Sequence, residues 1–258
     1  MNIIIFSKDR ACQLDLLLES FKNVHITANN KIVLYTFSSD DFKDGYSKVR
    51  QKYPEWQFKL QEGEIKNYLL ESLTSELTMF LVDDNVFVNS FCIDSKVRML
   101  KENKEILCVS LRLGKNISYD YMNDRKINVP EINFDGLFLW KGQEGCWGYP
   151  MSLDGHIFRT ADILPIIKKI NFKNPNELEW QLSCNPPDKK YMVCFLRPVL
   201  TNLAINKVQK WNNNRHGNAP VYFLNRQYLK GKKIDLEDII EKEKDFNSTH
   251  EEIGIKLI

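Results

Sequence analysis

Over the first 110 residues, short unbroken apolar runs alternate with stretches in which apolar residues return every three or four positions. Ile3 to Phe6 is such a run and predicts a buried strand. Leu14, Leu17, Leu18 and Phe21 then follow the i, i+3, i+4, i+7 spacing of an amphipathic helix. Lys31 to Phe37 predicts a second strand, and a charge-rich helix from Asp41 to about Tyr53 stops before Pro54. Trp56 to Leu60 reads as a third strand, and Ile65, Leu69 and Leu73 mark the next helix. Met79 to Val82 makes a fourth strand. A helix capped by Asp94 or Ser95 runs to Asn103, and Ile106 to Leu111 makes a fifth strand. Apolar strands separated by helices predict βαβ units and a parallel sheet covered on both faces.

The pattern changes after residue 111. Residues 112–150 carry little periodicity but many aromatic and polar side chains, the kind of excursion that usually serves binding. Met151 to Phe158 predicts strand, turn and strand around Asp154-Gly155, because Asp-Gly is a strong hairpin signal. Ile163, Ile166, Ile167 and Ile170 predict a helix. A second begins at Asn174-Pro175, where Asn is a good cap, Pro suits the first helical position and Glu177 completes a capping box. Tyr191 to Leu196 is a strand. From Ile205 the chain is polar, with an Asn run at 212–214, and a charged helix spans Asp235 to Lys244. The expected organisation is one α/β domain over residues 1–204, in two halves of different pattern (about 1–111 and 112–204). A mobile tail over 205–258 would carry a lid loop and the charged helix.

Composition narrows the class. The 258 residues carry 36 Lys and Arg against 34 Asp and Glu, a net +2, which speaks against general nucleic-acid binding. Hydrophobic residues at 43% and aromatics at 12% exclude a disordered chain. No apolar run reaches the roughly 18 residues of a membrane span, and the amino terminus does not read as a signal peptide. The six cysteines are scattered without a Cys-x-x-Cys pair, and several sit inside apolar runs, so a reducing cytoplasm is the expected setting.

The signatures of a dinucleotide-binding Rossmann motif, a P-loop, a zincin and a hydrolase elbow are all missing. What remains is Phe80-Leu-Val-Asp83-Asp84-Asn85-Val-Phe-Val88, an apolar strand that runs into two adjacent carboxylates. Ligands of open parallel sheets bind beyond the carboxyl ends of the strands. Two acids placed there repel each other unless a cation lies between them. Mg²⁺ or Mn²⁺ held by one or two carboxylates plus substrate phosphates fits that pattern. An acidic turn that caps a helix is the plainer alternative.

This strand-acid-acid arrangement resembles the Asp-x-Asp region of glycosyltransferases with the GT-A fold, here with Asn85 where many relatives carry a third acid. Ile3-Ile-Ile-Phe-Ser7-Lys-Asp-Arg10, followed by the leucine-rich helix to Phe21, is similar to the first strand and helix of family-2-like members. The resemblance implies a GT-A-like, Rossmann-like α/β fold with a mostly parallel central sheet, helices on both faces and a polar C-terminal tail. It implies an enzyme that moves a sugar from a nucleotide-diphosphate donor, UDP- or GDP-linked, to an acceptor hydroxyl. Ser7, Arg10, Ser39 and Asp83 would then contact the donor, and Asp83 and Asp84 would hold Mn²⁺ or Mg²⁺, with His216 as an added ligand. Glu179, in the helix that opens at Pro175, matches the catalytic base of inverting members, and Asp154 is the alternative carboxylate. Trp147 and Tyr149, in an aromatic-rich segment, would stack against the acceptor.

The same resemblance implies a glycan or lipid-linked glycan acceptor in bacterial surface-glycan assembly. The protein would be cytoplasmic, with the run Lys230 to Lys233 as a point of contact with the inner membrane face. Two alternatives stay open: a nucleotidyltransferase acting on sugar phosphates, and an inactive glycan-binding module. The first is expected to carry a glycine-rich loop after the first strand, which Ser7-Lys-Asp-Arg10 lacks.

Overall fold

The computed structural model describes residues 1–209 and 214–258. In chain order the elements are β1 (Asn2–Lys8), α1 (Ala11–Phe21), β2 (Asn30–Thr36), α2 (Asp40–Lys52), β3 (Gln57–Leu60), α3 (Ile65–Ser72), β4 (Leu77–Val82) and β5 (Asn85–Phe87). Then follow α4 (Asp94–Glu102), β6 (Ile106–Ser110), β7 (Tyr119–Asp120), β8 (Arg125–Lys126), β9 (Leu137–Leu139) and β10 (His156–Arg159). The remainder is α5 (Thr160–Lys169), α6 (Pro175–Cys184), β11 (Tyr191–Val193), β12 (Leu200–Leu203), α7 (Val221–Leu229), α8 (Leu236–Lys242) and β13 (His250–Glu251).

The main sheet has eight strands in the order β3-β2-β1-β4-β10-β6-β11-β9. β1 pairs in parallel with β2 and β4, and β6 in parallel with β11. β10 runs antiparallel between β4 and β6, and β9 closes one edge antiparallel to β11. The sheet is therefore mostly parallel and covered on both faces, as the alternation of apolar runs and amphipathic stretches predicts.

The pleat explains why the strands read as continuous apolar runs. Ile3 and Ile5 face one helical layer and Ile4 and Phe6 the other, so no position in the run can be polar. Leu17 of α1, Tyr46 of α2, Leu100 of α4, Leu224 of α7 and Ile239 of α8 fill the first layer. Leu69 of α3, Ile167 of α5 and Leu182 of α6 fill the second.

Two expectations are corrected. Only His156–Arg159 forms a strand in the segment predicted as strand-turn-strand. Met151 to Leu153 is a buried loop that leads into the Gly155 turn, whose φ of +67° suits glycine. The region after residue 205 is no loose tail in its described part. Leu224, Tyr228, Ile234, Leu236 and Ile239 are buried in the same layer as α1, and β13 joins a small sheet in the order β13-β12-β5. The sequence reading passed over α7, although Val221, Leu224 and Tyr228 stand at i, i+3 and i+7 there. Residues 210–213, expected within a polar loop, lie outside the described residues. Among the described residues, no helix is long and apolar enough to cross a membrane.

Candidate active site

A cleft of about 1150 Å³ opens at the carboxyl ends of β1, β2 and β4. The chain leaves β1 through Asp9, whose φ of +58° is a left-handed conformation that Asp tolerates better than most residues. The Asp9 carboxylate accepts a hydrogen bond from the Ser38 amide at 2.7 Å, which ties the ends of β1 and β2 together. This turn delivers Arg10 into the cleft floor.

Arg10 is the cation between the two acids. Its Nη1 donates to Asp83 Oδ1 at 3.1 Å and to Asp84 Oδ2 at 2.9 Å. Its Nε donates to Asn206 Oδ1 at 2.9 Å, and its Nη2 to the Asn206 carbonyl. Burial alone would weaken the charge, but the two carboxylates raise the guanidinium pKa, so Arg10 stays charged. Asp83 Oδ2 also accepts from Ser7 Oγ at 2.9 Å and from the Lys8 amide at 3.0 Å. Asp83 is thereby committed to the floor of the site. Asp84 is the more exposed of the two and takes its other hydrogen bond from Asn202 Nδ2 at 2.9 Å.

A second buried guanidinium organises the other half. Arg112 Nη1 donates to Asn202 Oδ1 at 2.9 Å and lies 3.3 Å from Asp154 Oδ2, while Nη2 donates to Ser152 Oγ at 2.8 Å. Burial raises the pKa of Asp154, and Arg112 opposes the rise. His250 Nε2 stands 3.9 Å from Asp154, yet burial and Arg112 push the imidazole down to about 3, so it is neutral there.

Glu179, on α6, also lines this end of the cleft. Burial first and the Asp154 charge second raise its pKa to about 8, against the opposing pull of Arg112 and of the Tyr149 and Ser152 hydroxyls. A carboxyl raised this far is a stronger base than an ordinary glutamate. α6 holds it firmly at its own start. Asn174 Oδ1 accepts from the Glu177 amide at 2.9 Å, and Glu177 Oε2 accepts from the Lys173 amide at 2.8 Å.

The structure therefore brings Ser7, Arg10, Asp83, Asp84, Asp154, Tyr149, Glu179 and His216 to one cleft. Ser39 lies outside the cleft lining, exposed just ahead of α2, where its backbone opens the helix. Trp147 is a correction. It is fully buried, donates from Nε1 to the Ile117 carbonyl at 3.0 Å and packs edge-on against Phe138, so it has no free face for a sugar. Lys233, in the run expected near a membrane, is paired with Glu19 at 2.6 Å.

Arg112, Asn202 and Asn206 are members of the site that the sequence reading passed over. For Arg112 a signal exists, since it follows an apolar strand just as Asp83 does. For the two asparagines none does, because their role depends on β12 pairing with β5.

Among the described residues no three His, Cys, Asp or Glu side chains cluster as a ready-made ion cage. With Asp83 taken up by Ser7, the Lys8 amide and Arg10, Asp84 is the carboxylate at the cleft edge. One carboxylate plus substrate phosphates is a fitting partial set for Mg²⁺ or Mn²⁺.

A mostly parallel α/β sheet with its polar cleft at the strand ends is the architecture implied by the resemblance to GT-A-fold glycosyltransferases. No family model matches the chain. Among curated proteins it is similar to the bifunctional glycosyltransferase pgtA of Dictyostelium discoideum, 29% identical over 264 residues that cover 86% of this chain. The chain spans only about a third of that relative, 33% of its length.

Among solved structures, S. aureus TarS 1-349 overlays 75% of this chain and 60% of its own at a TM-score of 0.45 and 15% identity. The mannosyltransferase PcManGT from Pyrobaculum calidifontis, solved with GDP-Man and Mn²⁺, overlays 76% of this chain and 56% of its own at 0.38 and 10% identity. At these scores neither overlay bears on activity.

Proposed function

We propose that the cleft transfers a glycosyl group from a nucleoside-diphosphate sugar to an acceptor hydroxyl. The observation that carries this reading is the Arg10–Asp83–Asp84 cluster at the strand ends, in one cleft with the raised carboxyl of Glu179. The similarity to a glycosyltransferase over most of the chain supports it.

In this reading Arg10 lends its positive charge to the diphosphate from the cleft floor, while its N–H groups hold Asp83, Asp84 and Asn206 in place. Asp84, at the cleft edge, is the better placed carboxylate for a divalent ion, and Asp83 would hold the floor rigid behind it. A bound Mg²⁺ or Mn²⁺ would neutralise charge on the departing diphosphate. Glu179 accepts the proton of the acceptor hydroxyl as its oxygen bonds to the anomeric carbon. The bond to the diphosphate breaks on the opposite face, a single displacement that inverts the centre. Asp154, fixed by Arg112, keeps Glu179 basic through its charge. His216 lines the same cleft and is the candidate for a further ligand. A glycan acceptor attached to lipid, in surface-glycan assembly at the cytoplasmic face of a membrane, completes the proposal.

The test incubates the protein with a panel of UDP- and GDP-sugars and Mn²⁺ or Mg²⁺, without acceptor. Slow release of nucleoside diphosphate and free sugar is expected, and chelation should suppress it. Pyrophosphate release would instead assign a nucleotidyltransferase. Inertness with every donor, together with retained glycan binding, would assign a binding module.

A further inference from the structure

α6 divides its faces sharply. Leu178 and Leu182 are buried in the lower core layer, while Asn176, Glu179 and Trp180 line the cleft. Those three stand at i, i+3 and i+4, so they form one stripe on one helix face. Ser183, at i+7, continues the stripe and faces the Tyr149 phenol across it. The stripe thus sets a carboxyl, an amide and an indole side by side, with a phenol opposite.

Trp180 is 53% exposed, the largest exposed aromatic along the cleft. Among the described residues its ring has no aromatic or cationic partner, and polar Lys173, Asn174 and Asn176 line the same cleft. An indole so placed leaves an apolar face open beside groups that hydrogen-bond hydroxyls. That pairing suits a sugar ring, which has an apolar C–H face and a polar edge. Asn176 shares the face with both Glu179 and Trp180 at i+3 and i+4, so a ring lying on Trp180 has polar groups of the same cleft wall at its edge.

We propose that the Asn176–Glu179–Trp180 face of α6 is the acceptor subsite, and that it takes a pyranoside stacked on Trp180. The platform assigned to Trp147 by its sequence context is in this way supplied by Trp180. The proposal rests on the glycosyltransferase reading for the role of the bound sugar, though not for its binding.

The experiment uses the whole protein and simple methyl hexopyranosides, with Trp180→Ala and Trp180→Phe compared. Intrinsic fluorescence is titrated with glycoside, nucleoside diphosphate affinity is measured separately, and thermal melting confirms that each variant is folded. Wild type should show a saturable emission change that Trp180→Ala loses and that Trp180→Phe does not supply. In transfer or glycoside-binding assays the apparent acceptor constant should rise on the order of tenfold in Trp180→Ala and much less in Trp180→Phe, the worth of one ring contact. Nucleotide binding with an unchanged acceptor constant in Trp180→Ala would overturn the subsite and leave the transferase reading standing. Glycoside binding that depends on Trp180 in a protein that ignores every nucleotide would confirm the subsite and overturn the transferase.

Discussion

At the scale of single residues, the two acids after β4 have different duties. Asp83 is buried and shared among Ser7, the Lys8 amide and Arg10, whereas Asp84 edges the cleft. Asp83→Asn should therefore lower stability by roughly 1–3 kcal/mol, since it leaves a buried donor of Arg10 or Lys8 poorly paired. Asp84→Asn should melt closer to wild type but lose most of its ion-dependent donor affinity. Thermal melting and calorimetry of both variants check the contrast, and equal losses in both assays would contradict it.

Glu179 yields a prediction in two independent observables. Glu179→Gln should slow transfer by about 10²–10⁴, the usual worth of a general base. The base must be ionised, so wild-type activity should fall as pH drops through the raised value near 8, and the variant should lose that limb. Stability moves the opposite way. The unfolded glutamate ionises near about 4.3, so ionisation favours the unfolded chain between there and the folded pKa. Below that window wild type and Glu179→Gln should melt alike. As pH rises through it, the variant should become progressively the more stable. Melting curves from pH 4 to 9 would show parallel behaviour if the carboxyl were unperturbed.

At the scale of elements, α6 carries the Glu179 end of the cleft on a cap built from Asn174 and Glu177. Asn174→Ala should cost about 1 kcal/mol by loss of the cap. Glu177→Gln should cost less, because an amide oxygen can still accept from the Lys173 amide. Both are measured by denaturant melts. This cap was legible because it is local chemistry written in seven consecutive residues. So were β1, β2, β4 and β6, whose apolar runs reflect burial on both faces.

The strand in Met151–Phe158 was misread because an Asp-Gly turn signals a hairpin whatever follows it. Here the turn instead feeds β10 into a slot between two distant strands. Trp147 was misread for a related reason. An aromatic in a polar segment looks available, and only the packing of Phe138 and Ile117 around it shows that it is not. Sequence spacing records local periodicity well, and it does not record which aromatic the fold turns outward.

At the scale of the whole molecule, the C-terminal segment completes the layer over α1 and α2. Leu224 and Tyr228 of α7 and Ile239 of α8 are buried there, and Asn225 Nδ2 donates to the Asp41 carbonyl at 2.7 Å. A chain truncated after Asn218 should therefore lose its cooperative melt and expose apolar surface to a dye, because it uncovers the part of the core packed against α1 and α2. An inactive truncation with a normal melt would show that α7 and α8 are dispensable to the fold. Asn206 adds a tie, since it anchors Arg10 from the start of this segment.

The position of β10 has a consequence in time. As the chain leaves the ribosome, β1 to β4 can assemble early, and β6 follows about thirty residues after β4 begins. Yet β6 never touches β4, because residues 156–159 must arrive to stand between them. Until then the growing chain presents β4 as an open apolar edge, the kind of edge that recruits neighbours. Nascent chains arrested before residue 156 should bind chaperones far more strongly than chains extended past residue 251, the end of β13. The interval between the emergence of β4 and that of β10 is the period in which this protein is most exposed to misassembly.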